Sequence, residues 1–295
     1  MARDRALNAG HLRRLERREQ YVQFNFLIPC LFFLLLFFFL PIGFFLSRSL
    51  FDPGFTTEHY VKAFSRPLYM AILWKTLKLS FYTTLVCLVL AYPVAFVMAH
   101  ARGKLKLAIL ILVLIPFWTN ILVRMFAWLA LLGSNGVINT NLMTLGLIDE
   151  PLHLLYNFFS VILGMTHYML PFMILPIYSV MAAIPSNLTD AAANLGASPW
   201  RAFLRVYLPL SLPGIGAGCL LVFILSLGFF ITPALMGGPR DTMFAQIIEI
   251  QINQMLDWGF AAALSTILLV ITIALYLVYD RLLSVEKIYG GDGKS

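Results

Sequence analysis

The chain has 295 residues, 60% of them hydrophobic and 12% charged, with a net charge of +7. A soluble domain carries roughly a quarter charged residues, so this composition, with a mean hydropathy of +0.85, does not fit an ordinary soluble enzyme or binding module. The positive charge has no aromatic-basic patch around it, so nucleic acid is not an expected partner.

The apolar residues fall into long blocks near the ~20 residues needed to cross a bilayer. Read in chain order they predict six spans, at 24–47, 74–98, 107–128, 157–183, 212–236 and 259–281. The expected fold is all-α and membrane-integral. A basic segment, 1–23, precedes a transmembrane domain, 24–283, and a polar tail, 284–295, follows it. The run from Phe24 to Phe45 is too long for a signal peptide and no small-residue cleavage site follows it, so the first helix is expected to remain uncleaved. The third block contains Pro116, Asn120 and Arg124, and a bend or break is expected near its outer end.

Six spans put both termini on one side. Arg3, Arg5, Arg13, Arg14, Arg17 and Arg18 place the first segment in the cytoplasm by the positive-inside rule. The inner segments then hold 14 of the 21 Lys and Arg residues and 7 of the 14 acids, so the whole excess charge is cytoplasmic. The expected location is a cytoplasmic (inner) membrane, with lipid around the chain and both termini inside. The outer segments 49–73, 129–156 and 237–258 are long. In the last, Phe244, Ile247, Ile248 and Ile252 have helical spacing, either as cover over the bundle or as a surface for the interface or a partner. Cys30, Cys87 and Cys219 lie in apolar blocks without metal-like spacing, and the five histidines are scattered, so no metal site is expected.

The inner segment 184–211 is the informative loop. Ser186 can cap a short helix and Gly196 can end it in a left-handed turn. Ser198-Pro199 then starts a second helix, on which Trp200, Phe203, Leu204 and Tyr207 share one face while Arg201 and Arg205 lie on another. The helical spacing leaves open whether the pair packs on its own bundle, on lipid or on a soluble partner. The spacing Asp190-Ala191-Ala192, Gly196, Val206-Tyr207-Leu208-Pro209 resembles the E-A-A…G…I-x-L-P signature of bacterial ABC importer permeases, with Asp190 for Glu and Val206 for Ile. The resemblance implies a type I importer-like permease fold. It implies that the loop 186–209 couples to an ATPase through Asp190, Ala191, Ala192, Gly196, Ser198, Pro199, Trp200, Arg201, Leu208 and Pro209. It also implies the partners: a second homologous permease, two ATPase subunits and an extracytoplasmic binding protein.

No catalytic constellation is visible. Gly290-Gly291-Asp292-Gly293-Lys294-Ser295 looks like part of a phosphate-binding loop, but Ile288 stands at the first glycine and no helix follows. The chain is therefore not expected to be an enzyme or to hold a cofactor, with ATP and Mg²⁺ on the partner ATPase. Further stretches are similar to the spermidine/putrescine permease family, which also includes importers of opines and amino-acid derivatives. They include Leu90-Ala91-Tyr92-Pro93, Pro116-Phe117-Trp118-Thr119, Leu170-Pro171-Phe172-Met173 and Gly228-Phe229-Phe230-Ile231-Thr232-Pro233. A polycation path needs acids and aromatic faces. The candidates are Trp118, Trp128, Phe229, Phe230, Glu249 and Asp257, with Asp149 and Glu150 further out. Arg124 and His167 are ionisable groups within or at the edge of spans, where such groups are costly and often functional. Arg124 would repel a polycation and suit a carboxylate-bearing opine, or else pair with an acid or with backbone carbonyls. His167, beside Tyr168, either lines the path or hydrogen-bonds a neighbouring helix. A self-contained secondary transporter is the contrasting class, and the signature loop argues against it.

Overall fold

A computed structural model describes residues 27–185 and 187–284. The basic segment 1–23, the proposed cap Ser186 and the tail beyond Ser284 lie outside the described residues. The described chain is helical throughout: α1 (Leu27–Phe51), α2 (Glu58–Ser65), α3 (Pro67–His100), α4 (Gly103–Trp118), α5 (Ile121–Leu132) and α6 (Val137–Thr144) in the first half. The second half holds α7 (Phe158–Ala183), α8 (Asn187–Asn194), α9 (Pro199–Leu227), α10 (Ile231–Met236), α11 (Phe244–Asn253) and α12 (Trp258–Ser284).

Six helical runs are long and apolar enough to cross a membrane: Leu27–Phe51, Pro67–His100, Ile121–Thr144, Phe158–Ala183, Pro199–Leu227 and Trp258–Arg281. Four match the expected spans in place. The fifth needs correction. The third, expected at 107–128 with a bend or break near its outer end, is split there. Its first part, α4, has 16 residues, about 24 Å at 1.5 Å per residue, which is short of a ~30 Å hydrocarbon core. The chain breaks at Thr119–Asn120, and α5 continues the traverse. Pro116 withdraws one N–H, Asn120 caps α5 by accepting from Leu122 N at 2.8 Å, and the break follows from those two residues. The fifth span is predicted at 212–236 after a separate loop helix. Instead α9 runs unbroken from Pro199 to Leu227 and stops at Gly228. A π-turn at Phe203–Tyr207 lets Leu208 N donate to Phe203 O. That widened turn relieves the clash that Pro209 makes with the preceding turn of a regular helix.

The centre of the bundle is α3, α7 and α9. The first two run parallel: Cys87 Sγ lies 3.7 Å from Thr166 O, and Thr83 Oγ1 4.0 Å from Met165 Sδ. Helix α9 runs against α7, with Gly214 on Ile177 and Gly218 on Met173. A Cβ at Gly218 would stand 2.8 Å from Met173 Sδ, so glycine permits this approach. Ala91, Ala95, Met169, Met173 and Ile177 fill the core between the three helices. Packing fixes the ends of the molecule. His100, the start of α4 and the α7–α9 turn share one end, since Phe96 lies 5.9 Å from Phe203 and 5.2 Å from Tyr207. The starts of α3 and α12 share the other, where Tyr69 meets Phe260 at 5.0 Å. There α11 lies as cover over the bundle: Phe244 is buried, and Ile247 and Ile248 pack into the same cluster as Tyr69 and Phe260.

Candidate functional site

The segment from Asn187 to Pro209 is built from local signals. Helix α8 ends where Leu195 N donates to Ala191 O at 3.1 Å and Ala197 N to Ala192 O at 3.0 Å. Between them Gly196 has φ +81°, the left-handed residue of a Schellman ending. The next helix starts at Pro199 as expected, but the Ser198 side chain makes no capping bond. The start rests on proline's preset φ and on Ala202 N donating to Ser198 O at 2.9 Å. Trp200 stacks on Phe203 at 5.7 Å and Phe203 on Tyr207 at 6.1 Å. This ladder leans on α3 through Tyr92 and Phe96, with His100 5.4 Å from Tyr207. Phe203 and Tyr207 of the amphipathic face therefore pack on the chain's own bundle, while Leu204 stays exposed. The turn is left open: Leu195 is 90% exposed and Trp200 67%. Arg201 and Arg205 are also exposed. Asp190, Ala191 and Ala192 lie on α8, and Leu208 and Pro209 within α9.

A second cluster lies inside the bundle, where two helix breaks meet α7. At the first break Arg124 is buried. Its Nη2 donates to Pro116 O, to Thr119 O at 3.0 Å and to Thr119 Oγ1 at 2.8 Å. These carbonyls belong to the C-terminus of α4, which lacks onward partners and carries the negative end of the helix dipole. The guanidinium also lies over the Tyr168 ring at 5.4 Å. Its Nε is buried and has no hydrogen-bond partner. At the second break, Gly228–Phe230, Phe229 lies 5.0 Å from Tyr168. Trp128 Nε1 donates to His167 Nδ1 at 3.0 Å, edge-on to the ring. Thr232 Oγ1 on α10 lies 3.1 Å from Met125 Sδ on α5, which ties the two broken segments together.

Of the expected path residues, the structure brings together Arg124, Trp128, His167 and Phe229. Sequence reading missed Tyr168 as the partner of Arg124 and Phe229, with Phe172 one turn along the same helix face at 6.0 Å from it. Trp118 stands off the end of α4 at 84% exposure, and Phe230 is 38% exposed. Glu249 accepts from Asn253 Nδ2 at 3.0 Å. Asp257 is committed to structure. Its Oδ2 meets Lys62 Nζ at 2.9 Å and its Oδ1 accepts from Phe260 N at 3.0 Å. Burial raises its carboxyl pKa, but the hydrogen bonds from Lys62 and Phe260 outweigh that and hold it below the usual value. Asp149 and Glu150 are exposed loop residues. Among the described residues no group of His, Cys, Asp and Glu is placed to hold a metal ion.

The family described as "Binding-protein-dependent transport system inner membrane component" matches residues 91–285. This stretch holds both the α8–α9 segment and the buried cluster. The spermidine/putrescine transport system permease protein PotB of Haemophilus influenzae is 38% identical over 226 residues, covering 77% of this chain and 79% of that protein. PotB of Escherichia coli K12 is 38% identical over 227 residues, covering 77% and 82%. Among solved structures, a chain of a bacterial alginate ABC transporter aligns with a TM-score of 0.74 at 19% identity, over 90% of this chain and 95% of that one. A chain of the MetNI methionine ABC transporter aligns with a TM-score of 0.56 at 18% identity, over 75% and 98%. The fold is thus that of ABC importer permeases, and the chain belongs to the family of binding-protein-dependent transport system inner membrane components.

Proposed function

We propose that this chain is the permease subunit of an ATP-driven importer of polyamines. The observation that carries the reading is 38% identity, over 77% of the chain, with permeases named for spermidine and putrescine. The geometry supports it in one respect. The charge of Arg124 faces the carbonyl end of α4 rather than an open cavity, which lessens its repulsion of a polycation. Tyr168 takes the guanidinium over its ring, Phe229 packs beside Tyr168, and Trp128 packs beside His167. Such faces attract ammonium groups once water is excluded.

In this reading the chain pairs with a second, similar permease, two ATPase subunits and an extracytoplasmic binding protein. ATP and Mg²⁺ bind on the ATPase, and the termini and the α8–α9 turn face the cytoplasm. The exposed turn with Leu195, Trp200 and Arg201 docks into the ATPase. Closure of the ATPase pair moves α8, and the aromatic ladder passes that displacement to α3 as well as α9. One observation favours a second substrate class. The buried Nε of Arg124 has no partner among the described residues, and an opine or amino-acid derivative carries a carboxylate that would accept from it. Uptake of labelled putrescine, spermidine and an opine-type conjugate, in cells lacking only this chain and with the gene restored, tests the two. Polyamine uptake that returns with the gene is the expected result. Return of the conjugate alone overturns the polyamine reading and places Arg124 on the substrate.

A further inference from the structure

A cavity of about 390 Å³ opens at the end of the bundle opposite the α8–α9 turn, between α3, the start of α7 and the loop before α11. Three cations line it: Lys75, Lys78 and Arg240. Lys75 Nζ donates to Arg240 O at 3.2 Å, which joins α3 to that loop. The cavity holds one acid, Asp241, and its Oδ2 is engaged in the turn, accepting from Gly238 N at 3.1 Å. Among the described residues the only salt bridge is Lys62–Asp257. The three cations therefore line one cavity with no carboxylate paired to them among the described residues. Its remaining wall is apolar and aromatic, with Tyr82 and Phe158 edge-on at 5.7 Å.

The depth of the cavity indicates its ligand. From Leu79 to Ala99, α3 carries 21 residues without a charge. At 1.5 Å per residue that is about 32 Å, the thickness of a hydrocarbon core. Lys78 is the last charge before this stretch and Lys75 lies one turn above it. Trp74, whose ring lies 5.5 Å from Lys78 Nζ, and Tyr82 fit the aromatic belt of a membrane interface. The cations thus sit at the level of lipid phosphates, beside apolar walls that suit the start of an acyl chain.

We propose that Lys75, Lys78 and Arg240 form a binding site for the phosphate of an anionic phospholipid headgroup. The site lies at the membrane face opposite the α8–α9 turn. A polycation is repelled by it, so it stands apart from the path of the proposed substrate. A bound lipid anion offsets part of the cluster's charge and fastens the loop before α11 to α3.

The test uses the complete transporter in nanodiscs of phosphatidylcholine, with and without phosphatidylglycerol, and counts retained phosphatidylglycerol by native mass spectrometry. The wild-type complex should retain it. The triple variant Lys75→Gln, Lys78→Gln, Arg240→Gln should bind it roughly a hundredfold more weakly, at about fivefold per cation. A variant that keeps all three charges (Lys75→Arg, Lys78→Arg, Arg240→Lys) should retain it, which separates loss of charge from loss of fold. Equal retention by wild type and the Gln variant overturns the site. Inorganic phosphate that displaces the lipid and binds as tightly in lipid-free detergent assigns the pocket to a soluble anion and overturns the lipid. So does a Gln variant that keeps its lipid but no longer captures the binding protein, since the face is then a protein-docking surface.

Discussion

Arg124 spends one of its guanidinium nitrogens, Nη2, on one helix break. Three of its contacts go to Pro116 and Thr119, the last turn of α4. Replacing it with methionine removes the charge-assisted bonds at the break and leaves Pro116 O only its bond from Thr119 Oγ1, at a cost of about 1.5–3 kcal/mol. Arg124→Lys should recover part of this, because an ammonium reaches the carbonyls but lacks the planar fork. Thermal unfolding of the purified transporter should therefore place Arg124→Met below Arg124→Lys, and both below wild type. Uptake of every substrate should fall together. A changed substrate preference at unchanged stability would instead assign Arg124 to the ligand. The sequence marks this residue, because a charge within a span is costly, but not its partners. Two of those are near neighbours in the chain, and the third, Tyr168, lies on another helix. Spacing along one helix says nothing about a neighbour across the bundle. For the same reason Asp257 reads from the sequence as a loop acid available to a cation, whereas Lys62, 195 residues away in the chain, already occupies it.

Helix α8 and the turn after it are the most legible elements, because their determinants are local. Gly196 at φ +81° and Pro199 at the first helical position are the residues that any such turn needs. The space around Gly196 is open: a Cβ there would meet no neighbour within 4 Å. The cost of a side chain is backbone strain alone, about 1–2 kcal/mol for a β-branched residue. Gly196→Val should therefore leave the melting temperature of the transporter nearly unchanged while uptake collapses. Gly196→Asn, which accepts left-handed φ, should keep most of the uptake. Equal uptake by the two variants would show that the shape of this turn does not matter to transport. The start of α9 is less legible. Two prolines and a polar-to-apolar change suggest a boundary near residue 212, but the π-turn at Phe203–Tyr207 absorbs Pro209 and lets the helix run on. Composition carries no sign of a π-turn, since it depends on the packing of Phe203 and Tyr207 against α3.

At the scale of the whole molecule, the number of crossings and the pairing of ends can be read from hydropathy and charge. The close contact of α3, α7 and α9 cannot. It depends on Gly214 and Gly218 meeting Ile177 and Met173, a match of small and large residues across helices far apart in the chain. The arrangement of ends can be checked by labelling single cysteines in an otherwise cysteine-free chain. Leu195→Cys should react only from the cytoplasmic side, and Met255→Cys, at a residue 65% exposed, only from the opposite side. Reaction of both from one side would contradict the alternation of the six runs. The packing of α1 has its own consequence for how the protein is made. No residue of its most apolar stretch is buried, and its ring contacts to another membrane-crossing helix, Phe45 and Arg48 on Trp258, are with α12. Helix α1 leaves the ribosome before α12 and thus waits for it. With about 200 residues between them and synthesis at roughly 5–20 residues per second, that wait is on the order of ten seconds or more. During that interval α1 must be sheltered by lipid or by the insertion machinery, so its many phenylalanines serve biogenesis before they serve the finished bundle.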